Sequence, residues 1–397
     1  MIEIHKKEEC AGCSACASIC PKKCIKIVED AEGFDYPKID LEKCVNCHLC
    51  EIICPIKNNQ DFPSKTYTLC VQNKNEIIRS CSSAGGVIGA IYQAVFAQNG
   101  IVYGVGYDKE NIARFMDAES LDDCFKKKLF ASKYVSAELD GIFLKVKEEV
   151  EIGRLVCFVG LPCQVAGLCS MLNKGYDNLW VIDLTCYGVP SRKLYRKYIE
   201  YLEAKYNEKI TDVRFRDKMF GYAAPTMTIE FASGKIKSQN CDVKSYLRCF
   251  FKDISSRPSC YKCHFKTVDR VSDLTVGDMR SIHKFVEIMD DDLGTTVLYV
   301  HNKKGQKIVN SINKYVVTAK ILIEDVLSTS GKKMISCPQV NPRREEFFSE
   351  IDNLPYIKLT DKYCPPDLSE YLSNVIKSLL KVTGLYKTGV LKALKRR

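Results

Sequence analysis

Long hydrophobic runs are missing from this chain of 397 residues. No uninterrupted apolar segment approaches the roughly 18–20 residues that a membrane-spanning helix needs. The residues before the first cysteine contain no apolar signal core. Arginine-rich stripes interleaved with aromatic residues, which are typical of nucleic-acid surfaces, are missing as well. We therefore expect a cytoplasmic protein with no transmembrane segment and no nucleic-acid partner, although the formal net charge is +10.

Cysteine, by contrast, is unusually abundant, with 22 residues. In a secreted chain so many cysteines would indicate disulfides. Without a signal peptide, metal ligation is the better interpretation. The length predicts two or three domains, and a hydrophobic content of 46% is ordinary for a globular protein.

Eight of the cysteines form two copies of the pattern C-x2-C-x2-C-x3-C-P near the start of the chain. This is the pattern of bacterial two-cluster ferredoxins, in which three closely spaced cysteines hold one 4Fe–4S cluster and the fourth ligates the other. We assign one cluster to Cys10, Cys13, Cys16 and Cys54, and the second to Cys44, Cys47, Cys50 and Cys20. The alternatives are a disulfide cluster and a pair of zinc sites, although zinc usually pairs two C-x2-C knuckles. Cys24 lies outside both motifs and is expected to be a small core residue.

After a turn-rich linker at residues 58–64, the pattern changes to alternating helices and strands. Periodicity predicts a helix at residues 87–97 and buried strands at residues 101–107, 155–160 and 180–184. This alternation predicts an α/β domain with a mostly parallel sheet behind a ferredoxin-like α+β module.

The pattern changes again near residue 210. Strands are predicted at residues 213–216 and 226–231, and a hairpin turn follows at residues 232–235. The tail from Leu368 to Arg397 has the pattern of one or two basic amphipathic helices.

Four further cysteines lie where another cluster could form. Cys163 and Cys186 each follow a predicted strand, and the carboxyl ends of parallel strands meet at one edge of a sheet, where ligands bind. Cys260 and Cys263 form a C-x2-C pair that would complete four ligands. Spacing alone leaves a third cluster, a dithiol and plain buried thiols all open.

A series of short motifs runs in order through residues 1 to about 290. After the two ferredoxin motifs come Ser82-Ser83-Ala84-Gly85-Gly86, Ser132-Lys133-Tyr134-Val135, Gly160-Leu161-Pro162-Cys163-Gln164, Asp183-Leu184-Thr185-Cys186-Tyr187-Gly188, Arg257-Pro258-Ser259-Cys260 and Ser272-Asp273-Leu274-Thr275-Val276-Gly277-Asp278. In this order the motifs resemble the coenzyme F420 hydrogenase/dehydrogenase beta subunit family with an N-terminal two-cluster ferredoxin domain.

The resemblance implies a division of the chain and a set of cofactors. The parts are a two-cluster domain at 1–62, a beta-subunit N-terminal-type α/β domain at 67–190, a C-terminal-type domain at 191–365 and a basic helical tail at 366–397. FAD and a third 4Fe–4S cluster are implied in the main domain. FAD would exchange single electrons with the clusters and a hydride with an organic acceptor. One departure is Gly277-Asp278-Met279-Arg280-Ser281, where many relatives carry an aromatic–glycine pair after Gly-Asp, so the acceptor stays open.

Ser82, Ser83, Gly85 and Gly86 open the predicted helix at residue 87. Backbone N–H groups at a helix start favour a phosphate, whereas an ordinary N-cap is the simpler interpretation of the residues alone. The resemblance favours a pyrophosphate or flavin contact. Lys133 and Tyr134 would then add charge and stacking, the alternatives being a solvated lysine and a half-buried tyrosine.

Several other polar residues are weaker candidates. The run Arg216-Asp217-Lys218 suits an anionic substrate or the flavin ring as well as it suits a surface ion-pair network. Asp273 and Asp278 are candidate catalytic residues, although strand-end aspartates are usually caps. His264 beside Cys263 is a candidate proton carrier, with a structural role as the simpler interpretation.

Together these features predict an iron–sulfur flavoprotein oxidoreductase. Electrons would enter from a redox partner protein or subunit, cross the clusters to FAD and leave as hydride to coenzyme F420 or another small organic acceptor, or flow in reverse. The alternative is a non-catalytic electron-relay subunit of a larger redox complex. The basic tail also allows weak contact with an anionic membrane surface.

Overall fold

The computed structural model describes residues 1–58, 65–139 and 141–388. Most of the predicted linker, and residues 389–397 of the predicted tail, lie outside this described part. Among the described helices, none combines the length and the hydropathy that crossing a bilayer requires.

The first 58 residues form a small α+β unit, called the N-terminal module below. An antiparallel hairpin joins β1 (Ile25–Glu29) to β2 (Asp35–Ile39), and two short helices, α1 (Ala15–Ile19) and α2 (Leu49–Ile52), carry cysteines. Ile2 and Ile25 are buried beside Cys24 and Cys50. Cysteine therefore contributes much of the interior of this module.

The other strands in the described part of the chain belong to two sheets. They are β3 (Tyr67–Asn73), β4 (Ile101–Tyr107), β5 (Ala113–Ala118), β6 (Val156–Gly160), β7 (Leu179–Leu184), β8 (Ile210–Asp217), β9 (Thr226–Phe231), β10 (Ile236–Lys237), β11 (Leu274–Asp278), β12 (Thr296–Val300) and β13 (Val316–Ile321).

The larger sheet has the order β13-β3-β12-β11-β7-β6-β4-β5. Its four central strands, β4, β6, β7 and β11, are mutually parallel, and the strands on either side pair antiparallel. The parallel centre is the expected α/β arrangement, and the antiparallel flanks make the sheet mixed. Because β6 and β7 are parallel neighbours, the segments that follow them emerge at the same edge.

Helices lie on both faces of this sheet and beside the smaller one. After α2 they are α3 (Glu76–Cys81), α4 (Val87–Phe96), α5 (Leu121–Lys126), α6 (Ile142–Glu151), α7 (Pro162–Leu172), α8 (Arg192–Tyr206), α9 (Cys241–Phe251), α10 (Lys303–Ile312), α11 (Ile323–Ser328), α12 (Arg344–Ser349), α13 (Tyr356–Tyr363) and α14 (Leu368–Val382). Alternate residues of β6 pack on opposite faces, with Phe158 in the core beneath α6 and α7 and Val159 in the core beneath α4 and α10.

The predicted helix at 87–97 and the three predicted buried strands are confirmed. The predicted boundary at 190/191, however, does not separate two sheets. Strands β11, β12 and β13 come from beyond residue 190 and complete the sheet that β3 to β7 begin. The physical reason is that β7 would otherwise have no partner on one side, and β11 pairs with it in parallel.

A three-stranded antiparallel sheet, ordered β10-β9-β8, explains why the residue pattern changes near residue 210. It also confirms the predicted hairpin. Helices α8 and α9 bury aromatic side chains beside it, among them Tyr198 and Tyr246. This second layer forms one wall of the large cavity described below.

The N-terminal module docks on the main body through an acidic hairpin. Glu29 and Asp35 form ion pairs with the nearly buried Arg192 at the start of α8. Glu32 forms an ion pair at 2.6 Å with the guanidinium of Arg344, and Lys262 one at 2.9 Å with Glu8. These contacts fix the module over the edge of the sheet from which the loops after β6 and β7 emerge.

Candidate electron-transfer centres and cofactor cavity

The eight ferredoxin-pattern cysteines line two separate cavities in the N-terminal module. One of them, called the middle cavity below, is lined by Cys10, Cys13, Cys16 and Cys54. The other, called the outer cavity below, is lined by Cys20, Cys44, Cys47 and Cys50. These are the two sets of four that the spacing predicted.

The backbone repeats its conformation in the two copies of the motif. Gly12 and Asn46 occupy equivalent positions with φ of +70° and +52°, and Ser14 and His48 do the same at +61° and +60°. Such turns direct backbone N–H groups inward. The N–H of Gly12 donates to Cys10 Sγ at 3.4 Å. The main chain thus provides a hydrogen bond to a cysteine sulfur.

Cys24 also lines the outer cavity, beyond the four predicted ligands. Its Sγ lies 3.3 Å from that of Cys20, and the residue is buried. The expectation of a core thiol is therefore incomplete, because Cys24 faces the outer cavity as well as the apolar interior.

The four remaining candidate cysteines come together in what we call the inner cavity. Cys163 begins α7, Cys186 follows β7, and Cys260 and Cys263 lie in and just after the 3-10 helix Pro258–Lys262. Burial raises the pKa of the Cys186 thiol to about 11 and that of Cys260 to about 12. Thiolates at this site would therefore need a bound cation.

A buried arginine faces the inner cavity. Arg270 lines the cavity, is 6% exposed, and has no hydrogen-bond partner for Nε or Nη1. The nearest carboxylate is that of Asp183, with an oxygen 3.9 Å from Nη1. An orphaned buried guanidinium is costly unless an anion accepts from it, so the site suits a negatively charged group. Across the described ranges, no three His, Cys, Asp or Glu side chains converge as they would on a single metal ion.

The fourth cavity is much larger, at about 690 Å³. It lies between the N-terminus of α4, the ends of β6, β7 and β11, and the aromatic residues at the end of α9. A cavity of this size accommodates a ligand the size of a dinucleotide. Its lining includes the predicted flavin residues Ser82, Ser83, Gly86, Lys133 and Tyr134.

The residues before α4 divide between cavity and scaffold. Ser82 donates its hydroxyl to Ile78 O at 2.7 Å and thus caps α3. Ser83 Oγ accepts the N–H of Ser132 at 2.8 Å. Gly85 does not line the cavity, and a Cβ there would lie 2.3 Å from the carbonyl oxygen of Val71. Gly86, at φ +79°, is the N-cap of α4 and lines the cavity together with Val87 and Ile88.

Lys133 and Tyr134 are both in the cavity wall. Lys133 is not solvated: burial lowers its pKa to about 7, and its ammonium donates to the carbonyl of Ala131 at 2.9 Å. Tyr134 packs edge-on against Phe215 and Phe251. The large cavity therefore has an aromatic wall, and the amine of Lys133 lies beside it.

Of the run Arg216-Asp217-Lys218, only Arg216 lines the cavity. Arg216 pairs with Asp278, and its Nε and Nη2 have no hydrogen-bond partner although they are buried. Lys218 instead has a structural role, because its ammonium donates at 2.7 Å to the backbone carbonyls of Arg79, Ala84 and Leu293. Sequence alone did not separate these roles.

The other weak candidates also separate. Asp273 is buried away from the cavities and accepts the N–H of Val181 at 2.9 Å, which is a structural role. Asp278 lines the large cavity. His264 is exposed and lines the inner cavity.

The middle, inner and large cavities form a row with shared walls. Ala11 and Ile56 line both the middle and the inner cavity. Cys186 and Val189 line both the inner and the large cavity. Cys20 on the outer cavity and Cys16 on the middle cavity lie one helical turn apart around α1. Each step along the row therefore crosses a single layer of residues.

Family models match two parts of the chain. Residues 9–58 match the 4Fe-4S dicluster domain, and residues 153–324 match the C terminus of the coenzyme F420 hydrogenase/dehydrogenase beta subunit. The second match spans less than half of the chain, so the similarity to the F420 hydrogenase/dehydrogenase beta subunit family is one of this domain. The F420 hydrogenase beta-subunit model covers β6 to the start of α11, including every cysteine of the inner cavity.

One solved structure resembles the chain at low identity. It is the F420-reducing [NiFe] hydrogenase complex from Methanosarcina barkeri, with 15% identity and a TM-score of 0.45 over 69% of this chain and 89% of that one. No protein of curated function matches the chain. The two domain matches make this chain an iron–sulfur redox protein related to the F420 hydrogenase beta subunit.

Some residues of this beta-subunit domain were missed by sequence reasoning. Arg270 at the inner cavity lies inside no motif. Arg257, part of the quoted Arg-Pro-Ser-Cys motif, donates at 2.7 Å to the carbonyls of Cys10 and Asp35 and so links the inner cavity to the N-terminal module. A buried arginine next to a predicted ligand is the signal that would have marked it.

Proposed function

We propose that this chain is an iron–sulfur flavoprotein oxidoreductase that passes electrons between a redox partner protein and an FAD in the large cavity. Three 4Fe–4S clusters in the outer, middle and inner cavities would connect the two ends. The observation that carries the proposal is that the middle, inner and large cavities share walls, with the outer cavity one turn of α1 from the middle one.

The outer cavity is the proposed contact with the redox partner. Cys47 there is exposed, whereas the cysteines of the inner cavity are at least partly covered by the docked N-terminal module. A partner can thus approach the outer cavity closely without any opening of the main body.

The inner cavity suits a 4Fe–4S cluster by its donor set. Four thiols line it, and the orphaned Nε and Nη1 of Arg270 supply buried positive charge for an anionic cluster. Lys266 adds a second cation, held in place by donation to the carbonyl of Cys186. Cys186 also borders the large cavity, so it is the proposed exit from the clusters.

The large cavity suits FAD by its size and by two unsatisfied features. The N-terminus of α4 lines it through Gly86, Val87 and Ile88, and backbone N–H groups at a helix start favour a pyrophosphate. Arg216 presents two buried, unpartnered N–H sites, and Lys133 adds a second cation. Tyr134 offers an aromatic face for a flavin ring. Bound FAD would supply the conversion between single electrons and hydride.

The proposed hydride acceptor or donor is a small organic anion, with coenzyme F420, named in the family description, as the first candidate. Arg280, Lys332 and Lys333 line one end of the large cavity. Burial lowers the pKa of Lys333, whose ammonium lies 4.8 Å from the Tyr187 ring centroid. All three are exposed, so these cations would attract and orient an anionic acceptor at the solvent side of the cavity.

The test is a count of iron, acid-labile sulfide and flavin on protein purified without oxygen. We expect three clusters and one FAD per chain. Cys186→Ser should remove one cluster and block reduction of the flavin by dithionite-reduced ferredoxin. Cys169→Ser is the matched control, because Cys169 lies on α7 but lines none of the four cavities. Two clusters without flavin would instead support a non-catalytic relay subunit.

A further inference from the structure

Helix α14 attaches to the protein through its polar side. Glu370 forms an ion pair with Arg248 at 2.8 Å. Asn374 is 6% exposed and accepts a hydrogen bond from Lys244. Lys377 is 5% exposed and donates to the carbonyls of Ala224 and Pro225 at 3.1 and 3.2 Å. The side that faces the body is therefore polar, which is the reverse of an ordinary surface helix.

The apolar side of α14 faces away from the protein. Six of its large side chains are between 51% and 86% exposed, namely Leu368, Tyr371, Leu372, Val375, Leu379 and Val382. At 100° per residue these positions fall within about 100° of arc, opposite Glu370, Asn374 and Lys377. They form one continuous stripe along the helix, called the α14 stripe below.

A stripe of this kind is unfavourable in water and indicates a surface that is covered by something else. The charge of the surrounding sequence restricts what covers it. From residue 371 to residue 397 there is no Asp or Glu, and there are seven Lys or Arg residues. Four of the seven end the sequence, namely Lys392, Lys395, Arg396 and Arg397. A second copy of the same segment would bring like charges together, so self-association through the stripe is disfavoured.

We propose that α14 and the basic residues after it dock this protein on the surface of an anionic phospholipid bilayer. The α14 stripe would enter the boundary between headgroups and acyl chains, with the helix axis in the plane of the membrane. The basic residues would bind anionic headgroups. Since Glu370, Asn374 and Lys377 hold the opposite side, the catalytic body would stay in water above the bilayer. The proposal is independent of the cofactors assigned above.

The test is co-sedimentation of the full-length holoprotein, without oxygen, with vesicles of phosphatidylglycerol and phosphatidylcholine (1:1) or of phosphatidylcholine alone. We expect binding to the anionic vesicles, weakening with added salt, and at most weak binding to neutral ones. The triple variant Leu372→Ser/Val375→Ser/Leu379→Ser should bind at least about tenfold less, because it removes three apolar side chains of the stripe that are 55–61% exposed.

Two further variants separate the contributions. The control Leu41→Ser/Ile152→Ser/Ile288→Ser removes three apolar residues elsewhere that are even more exposed, and it should bind like the parent. Neutralising Lys392, Lys395, Arg396 and Arg397 to Gln should lose about fivefold in affinity per charge, in anionic vesicles only. The proposal is overturned if the parent does not bind anionic vesicles, or if the stripe variant binds as well as the control. Dimerisation that depends on the stripe, without vesicle binding, would also overturn it in favour of a second copy.

Discussion

Replacing Arg257 with Met should loosen the N-terminal module from the main body. The Arg257 side chain is 3% exposed and donates at 2.7 Å to the carbonyl of Cys10 and at 2.7 Å to that of Asp35. Its guanidinium carbon also lies 4.4 Å from the Tyr36 ring centroid. All three partners belong to the N-terminal module, whereas Arg257 belongs to the main body.

The magnitude follows from these contacts. Two hydrogen bonds from a charged donor contribute about 1.5–3 kcal/mol each, and the cation–π contact adds about 0.5–2 kcal/mol. Methionine keeps part of the packing and avoids burying a charge, so we expect a net loss of about 4 kcal/mol, as for other broken buried charge contacts. Because about 1.4 kcal/mol is a tenfold change, local opening of the interface should become roughly a thousandfold more frequent.

Hydrogen–deuterium exchange under anaerobic conditions measures this opening directly. Amides of residues 10–13 and 33–37 should exchange faster in Arg257→Met, whereas amides of β6 should not change. Iron content is measured in parallel to separate lost docking from lost clusters. Arg343→Met is the control, because Arg343 is exposed and its pair with Glu346 is a surface pair. The reasoning fails if Arg257→Met retains its iron and these amides exchange within about threefold of the parent.

Three further outcomes follow from single side chains. Burial lowers the Lys133 pKa to about 7 from an unfolded value of 10.5, so FAD affinity measured by fluorescence should fall about tenfold from pH 6 to 8. In Lys133→Met this pH dependence of FAD affinity should be missing. Burial of the protonated lysine also lowers the free energy of unfolding of the parent below pH 7, and this loss is relieved between pH 7 and 10.5; the variant should not show it. Gly167→Ala places a Cβ 2.9 Å from Cys13 Sγ; despite a gain of about 1 kcal/mol in helix propensity, overpacking should cost more and lower the iron content. Cys24→Ala should retain every cluster by iron analysis; loss of one would make Cys24 a ligand.

The cysteine sets were predictable because their geometry is local or follows from a topological rule. Spacing within each motif determines the turns at Gly12 and Asn46. Cys163 and Cys186 were expected at one sheet edge because both follow parallel strands, and β6 and β7 are indeed neighbours. The antiparallel flanks of the sheet could not be foreseen, because β3 and β12 pair across more than 200 residues of sequence.

The roles of neighbouring cations were beyond the sequence for a different reason. Arg216 and Lys218 are two residues apart on an extended segment, yet one faces the large cavity and the other clamps three carbonyls. The same holds for helix α14. Periodicity predicts an amphipathic helix there but does not determine which of its sides contacts the rest of the protein. Tertiary contacts decided both cases, through buried acceptors that no local pattern reveals.

Arg270 offers a way to separate the effect of buried charge from the effect of burial on the cluster proposed for the inner cavity. A buried cation stabilises the reduced, more negative cluster and raises its potential, whereas removal of water lowers the potential. Arg270→Gln deletes the charge but keeps a polar side chain in the same covered place. We expect the EPR signal of the inner cluster to appear at a lower potential in a redox titration, with the outer and middle signals unmoved. Arg343→Gln is the surface control and should shift none of them. The reasoning fails if Arg270→Gln has its full iron content and an unchanged potential of the inner cluster. The guanidinium of Arg270 would then not interact with a cluster, and only the four thiols would support a cluster in the inner cavity.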